Sequence, residues 1–209
     1  MTYAPETIKA ARTFLIANIP GLKGDTVGIV GDTSHAATGT SYHLGKNQLA
    51  SGSYSVVESS RDRNGLTDAA AALDIGEFSV KRGGRTHTLR TFSVWLVAEC
   101  KAGSADTRDI REVIYSADGR TVKRWDRLGR RTAGDSSHRY HTHISYFRDS
   151  EKRHKTGLFR RYLTEVGILE DEVPEAQFIA AVTKALATGA GQKALGDRAA
   201  QIGRLLADT

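Results

Sequence analysis

Three of the chain's seven histidines, His138, His141 and His143, fall within the stretch SSHRYHTHISYF at residues 136–147. The β-branched and aromatic residues from 141 onward predict a strand. Alternate side chains of a strand share a face, which aims His141 and His143 the same way with Cα atoms roughly 6.5–7 Å apart. His138 precedes the strand, in a loop from which a third imidazole can swing into the same space. Two imidazoles on one face can meet one metal ion or one substrate. Catalytic zinc takes three protein ligands from His, Asp or Glu and keeps a fourth position for water, so the cluster needs partners from elsewhere in the chain. TSYHLG offers His43 in a loop, and AALDIG offers Asp74 where a helix is expected to run out. His43, Asp74 and His143 make a mixed nitrogen and oxygen set, which suits Zn²⁺ better than Mg²⁺ or Ca²⁺ with their preference for oxygen shells.

The elements that must position these residues follow from periodicity. PETIKAARTFLIANI, opened by Pro5 and closed by Pro20-Gly21, spaces Ile8, Ala11, Leu15 and Ile19 as a helix. TVGIVG (26–31) reads as a short β-branched run, and residues 32–65 as mostly loop with a short strand at 54–57. So long a loop suggests a functional or inserted segment. LTDAAAALDIG (66–76) reads as a helical turn or two stopping near Asp74, because alanine is the best helix former. RTHTLRTFSVWLVAECKAG (85–103) puts Leu89, Phe92, Leu96 and Cys100 on one helical face. DIREVIYS and TVKRWDR flank Asp118-Gly119 as a hairpin, with residues 141–147 as a third antiparallel strand. GLFRRYLTEVGILE and EAQFIAAVTKAL read as helices, and the glycine-punctuated remainder as a weak one. The expected organisation is a domain over 1–170 and a C-terminal helical segment over 171–209.

Ser41 two before His43, Asp74 followed by an apolar residue, and His-x-His on a strand together resemble the zinc peptidases of the D-Ala-D-Ala carboxypeptidase and LAS group. More narrowly, TSYHLG…YSVVESSRDRNGLTDAAAALDIG…HRYHTHISYFRD resembles the peptidase domains of actinobacterial phage endolysins, over roughly residues 30–170. His138-x-x-His141-x-His143 also matches a murein endopeptidase branch of that group. The resemblance implies an α+β fold in which a small antiparallel sheet carries a zinc site and is flanked by helices. It implies His43, Asp74 and His143 as zinc ligands, with His141 and His138 beside the metal-bound water. One departure stands out: most of the group separates the first histidine from the aspartate by six residues, whereas residues 44–73 lie between His43 and Asp74 here. Asp68 is the rival carboxylate. Asp74 is preferred because it precedes the apolar-Gly pair expected at a helix-to-strand junction. No glutamate lies within the six positions before His143, so a histidine replaces the glutamate base of some relatives.

The chemistry expected of such a site is amide hydrolysis, with zinc acidifying a water and polarising the scissile carbonyl. His141 would take the proton and return it to the leaving amine, a task suited to an imidazole. Arg61 or Arg63 in SSRDRNG is the nearest cation in sequence for an oxyanion or a stem-peptide carboxylate. The expected substrate is bacterial peptidoglycan; endopeptidase and D,D-carboxypeptidase action both remain open.

Composition narrows the alternatives. A net charge of +6 over 209 residues favours polyanionic surroundings without choosing among them. The single cysteine, Cys100, forms no internal disulfide. Neither a signal peptide nor a membrane span is expected, so a lysin of this type would wait in the host cytoplasm for a hole-forming protein, or travel in the virion, and act at the wall as a monomer. A single-strand nickase is the rival enzyme, with paired histidines holding a metal and a tyrosine such as Tyr146 or Tyr162 attacking phosphate. Thr142 speaks against it, being polar where those enzymes place a bulky apolar residue, and no specific nucleic-acid partner is expected. A wall-binding module should show aromatic-rich repeats; none occurs, and aromatics are only 7%.

Overall fold

A computed structural model describes residues 1–170, 183–184, 186–188 and 192–193. The chain divides into two compact units, Met1–Leu169 and Glu170–Thr209. The helices expected over EAQFIAAVTKAL and the final stretch lie mostly outside the described residues.

The first unit is α+β. Its helices are α1 (Glu6–Asn18), α2 (Thr33–Thr38), α3 (Tyr54–Val57), α4 (Ser60–Asn64), α5 (Leu89–Ala102) and α6 (Thr156–Glu165). Four strands, β1 (Ala72–Gly76), β4 (Ile110–Ser116), β5 (Val122–Asp126) and β6 (His141–Tyr146), form an antiparallel sheet in the order β1-β6-β4-β5. A separate hairpin joins β2 (Ser79–Arg82) to β3 (Arg85–Thr88). Among the described residues, no helix is long and apolar enough to cross a membrane.

The sheet has one greasy face and one polar face, as strand alternation requires. Leu73, Ile75, Ile110, Val113, Ile144 and Tyr146 point into a core shared with Ile8 and Leu15 of α1, Phe92 and Leu96 of α5 and Phe159 of α6. Thr142 falls on this side too, where its hydroxyl pairs with Ser93 of α5 at 2.5 Å. Asp74, His141, His143, Ser145 and Glu112 take the other face. A β-bulge between Ile110 and Glu112 shifts the β4–β6 register, so that Glu112, not Arg111, stands opposite Ser145.

Several local expectations are corrected. Residues 66–71 are not helical, and Asp74 sits in mid-strand, not at a helix end. Alanine's helical advantage is a fraction of a kcal/mol per residue, and tertiary partners outweigh it. The Ala70 amide donates to Tyr3 O at 2.9 Å, the Ala71 amide to Tyr42 O at 2.7 Å, and Ala71 O accepts from the Tyr146 amide at 2.8 Å. Ala69, Ala70, Ala71 and Ala72 are all buried, where only small side chains allow so close an approach. Residues 54–57 form a short helix in place of a strand; four residues are too few for periodicity to discriminate. TVGIVG forms no strand, although Gly28 and Asp74 exchange two backbone hydrogen bonds, at 3.2 and 2.8 Å. The expected helix over 85–103 begins only at Leu89. The preceding residues pair with β2 across Gly83-Gly84, whose φ values of 55° and 74° suit a tight hairpin turn. Thr88 then caps α5 in a reciprocal capping box with Thr91.

Candidate metal centre

Asp74 and His143 are direct neighbours across the β1–β6 ladder, so the sheet register itself places carboxylate beside imidazole. His43 arrives from the loop after α2, anchored by its amide to Ser41 Oγ at 3.1 Å and by its carbonyl, which accepts from the Gly31 amide at 3.1 Å. Gly31 is required there, because a Cβ would lie 2.7 Å from His35 Cβ and 3.1 Å from His43 Cβ. The ligand atoms of His43, Asp74 and His143 all fall within 4.8 Å of one another. His43 Nε2 is 3.1 Å from Asp74 Oδ2, and His143 Nδ1 is 2.9 Å from Asp74 Oδ1. The three residues form a group that can hold a metal ion.

The donor chemistry fits one. His43 Nδ1 donates to the Ile29 carbonyl at 2.7 Å, which leaves the Nε2 lone pair directed at Asp74. A carboxylate and an imidazole lone pair that converge in this way favour a cation between them. The same demand shows in the proton affinity of His43. Burial would push His43 down, but the Asp74 carboxylate outweighs it and raises the imidazole above its usual range. Burial likewise opposes ionisation of Asp74, yet His43 and His143 hold it well below the ordinary carboxylate value.

His141 shares the face, with Nε2 3.9 Å from Asp74 Oδ1, just outside direct bonding. Burial lowers it despite the attraction of Asp74, so it is neutral near pH 7. His138 packs beside it with ring centroids 4.6 Å apart and the rings tilted by 40°, and its Nδ1 lies 3.1 Å from Asp135 Oδ2. Burial, reinforced by His143 and His141, depresses it to about 4. The cluster therefore carries two neutral imidazoles beside the ligand group. One cavity of about 610 Å³ runs from His138 past Tyr54 and Arg124, and another of about 520 Å³ runs past Lys23, Glu77 and Tyr140. Asp74 and His141 border both.

The other expected site residues are not brought here. Arg61 is held by Asp149 at 2.9 and 2.8 Å and by Asp109 at 2.7 Å, and its guanidinium covers the Phe147 ring. Arg63 donates to the Val57 carbonyl at 2.5 Å. Neither lines the two cavities. Asp68 accepts from the Asn47 amide at 3.0 Å and takes no part in the ligand group. Tyr146 and Tyr162 are buried in the helix-side core. Conversely, Arg124, Tyr54, Glu112 and Ser145 beside the cluster were not singled out from sequence, nor was His35, whose ring lies 5.1 Å from that of His43. The signal for His35 was Asp32, which caps α2 and accepts from His35 Nδ1 at 2.9 Å.

Compared with protein-family models, curated proteins and solved structures, the chain finds no match in any of the three. Its function must be read from the site's own chemistry.

Proposed function

We propose that the chain is a zinc-dependent peptidoglycan peptidase of the LAS type, a phage-type lysin that hydrolyses an amide bond in the stem or cross-bridge peptide of the bacterial wall. The observation that carries the reading is the convergence of His43, Asp74 and His143 with a neutral His141 alongside. Two imidazoles and one carboxylate suit zinc. Bound zinc would supply Lewis acidity toward a peptide carbonyl and would acidify a water. His141, neutral and poised next to the ligand group, accepts the proton of the attacking water and passes it to the leaving amine. His138 packs against the His141 ring and fixes its orientation. Arg124, at the wall of the larger cavity, replaces Arg61 and Arg63 as the cation on the substrate's path, although Glu112 already pairs with it.

Two cavities that share Asp74 and His141 in their walls favour cleavage within a chain over removal of a terminal residue, because substrate can occupy both. The +6 charge favours an anionic wall. A lysin of this kind acts as a monomer, after release from the host cytoplasm or delivery by a virion. Against the nickase alternative, Tyr146 and Tyr162, the two tyrosines weighed as its nucleophile, are buried in the core on the helix side of the sheet.

The test is digestion of purified peptidoglycan followed by mass spectrometry. New free amines within the peptide moiety, abolished by chelation and restored by Zn²⁺, are expected. Intact peptidoglycan alongside metal-dependent nicking of single-stranded DNA would overturn the reading.

A further inference from the structure

His143 has two ring nitrogens, and only one can face the Asp74 carboxylate. The other, Nε2, lies 2.7 Å from Ser145 Oγ, and Ser145 Oγ lies 3.0 Å from Glu112 Oε1. All three residues are buried, at 5%, 0% and 0% exposure. Glu112 is ringed by donors: the Tyr54 hydroxyl at 3.1 Å, Arg124 Nε at 2.9 Å and the Ser145 hydroxyl. Burial pushes the Tyr54 phenol up, which keeps it a donor. The carboxylate can only accept in this setting, so the single Ser145 proton is committed to it. Ser145 Oγ must then accept from His143 Nε2–H. The lone pair of His143 is left on Nδ1, the nitrogen 2.9 Å from Asp74 and 3.0 Å from His43 Nε2.

We infer that Ser145 and Glu112 are positioning residues which fix the tautomer of His143 and so determine which nitrogen it offers to a metal ion. The inference rests on the metal site of the proposed function, though not on the identity of the substrate. The sheet is built for it. His143 and Ser145 are two apart on β6 and share a face, and the β4 bulge turns Glu112 onto that face opposite Ser145. A regular ladder continued from the Ile110–Tyr146 pair would have set Arg111 opposite Ser145, and a cation there could not accept the serine proton. The relay also carries negative charge toward the ring, which strengthens Nδ1 as an electron-pair donor.

The test combines one measurement on the wild-type protein with two variants. Long-range proton–nitrogen NMR of the zinc-loaded protein should show His143 protonated at Nε2, with a slowly exchanging proton; a ring protonated at Nδ1, or free of a proton at Nε2, would overturn the inference. Ser145→Ala should weaken zinc affinity, measured by chelator competition, roughly 10–100-fold, and should shift the visible absorption of the Co²⁺-substituted protein. Its metal-free melting temperature should fall modestly, because buried His143 and Glu112 lose a partner, so affinity is compared at a temperature where both proteins are folded. Glu112→Gln, which keeps the shape but not the charge, should fall between parent and Ser145→Ala in affinity. Parental zinc affinity and an unchanged cobalt spectrum in Ser145→Ala would refute the relay while leaving the metal site standing. A parent protein that binds no zinc would remove both, and a zinc-loaded protein inert toward peptidoglycan would remove only the peptidase.

Discussion

His43 Nε2 and His143 Nδ1 lie 3.0 Å apart, each on a ring whose far nitrogen is already engaged, by the Ile29 carbonyl at 2.7 Å and by Ser145 Oγ at 2.7 Å. Two electron pairs that close, beside the Asp74 carboxylate, repel unless a cation sits among them. The arrangement is stable because backbone and relay hold each ring from behind. It predicts where metal is lost and where it is kept.

Protein purified in metal-free buffer and loaded with Zn²⁺ should hold about one ion per chain by elemental analysis, as a three-ligand site requires. His43→Ala, His143→Ala and Asp74→Asn should each lose it. Asp68→Asn should retain it, since that side chain faces the Asn47 amide. Zinc at a thousand times its dissociation constant should stabilise the fold by about 4 kcal/mol, read as a rise in melting temperature that the three ligand variants do not show. Zinc lost from Asp68→Asn and kept by Asp74→Asn would reverse the carboxylate assignment.

His141→Ala should separate binding from chemistry. With Nε2 3.9 Å from Asp74, His141 stands next to the ligand group without completing it. The variant should keep most of its zinc and lose roughly 10²–10⁴-fold in the rate of amine release from peptidoglycan, the span typical of a general base. If His141→Ala strips the metal while His143→Ala retains it, the roles of the two histidines are exchanged.

The site was legible in sequence wherever its geometry is local. The shared face of His141 and His143 follows from a period of two, and β6 obeys it. Asp74 does not mark a helix end as the alanine run suggests; its place comes from pairing with His143 across β1 and β6. The alanine run misled because the backbone bonds of Ala70 and Ala71 go to Tyr3 and Tyr42, far away in sequence. Glu112 and Ser145 were invisible for a similar reason. Their contact depends on a bulge, and a single inserted residue leaves no periodic trace. Arg61 looked close to the metal loop along the chain, but Asp109 and Asp149 hold it elsewhere.

Arg148 should prove the main stitch of the segment between His43 and Asp74. It is buried, and among the described residues no carboxylate pairs with its guanidinium. Its nitrogens reach Ser55 O at 2.9 Å, Ser55 Oγ at 3.1 Å, Ala69 O at 3.3 Å and Ser41 O at 3.4 Å, and the group covers the Tyr42 ring. Arg148→Met strands these buried acceptors and should cost about 3 kcal/mol or more. Arg148→Lys should be damaging too, since an ammonium cannot reproduce the planar fork. Urea denaturation of the metal-free protein should show a lowered midpoint with an unchanged slope. Zinc affinity should fall in step, because Ser41 anchors the His43 amide.

Lys155 supplies a pH dependence far from the metal site. Its ammonium is buried against Tyr146, donating to Ser150 O at 2.6 Å, Ser150 Oγ at 3.0 Å and Arg153 O at 2.9 Å. Burial, only partly offset by Asp109, lowers it to about 8. In the unfolded chain a lysine keeps its proton up to about 10.4. Between these values the unfolded state binds more protons than the folded state, so this residue's contribution to stability rises with pH across the window. Below pH 8 the burial penalty is present in full. The whole effect is up to roughly 3 kcal/mol. Tyrosines and Cys100 titrate over an overlapping range, so the measurement is the difference in unfolding free energy between parent and Lys155→Met. That difference should move in favour of the parent from pH 8 to pH 10 and stay flat from pH 6 to pH 7.5. A flat difference throughout would mean that the three oxygen acceptors compensate the buried charge completely.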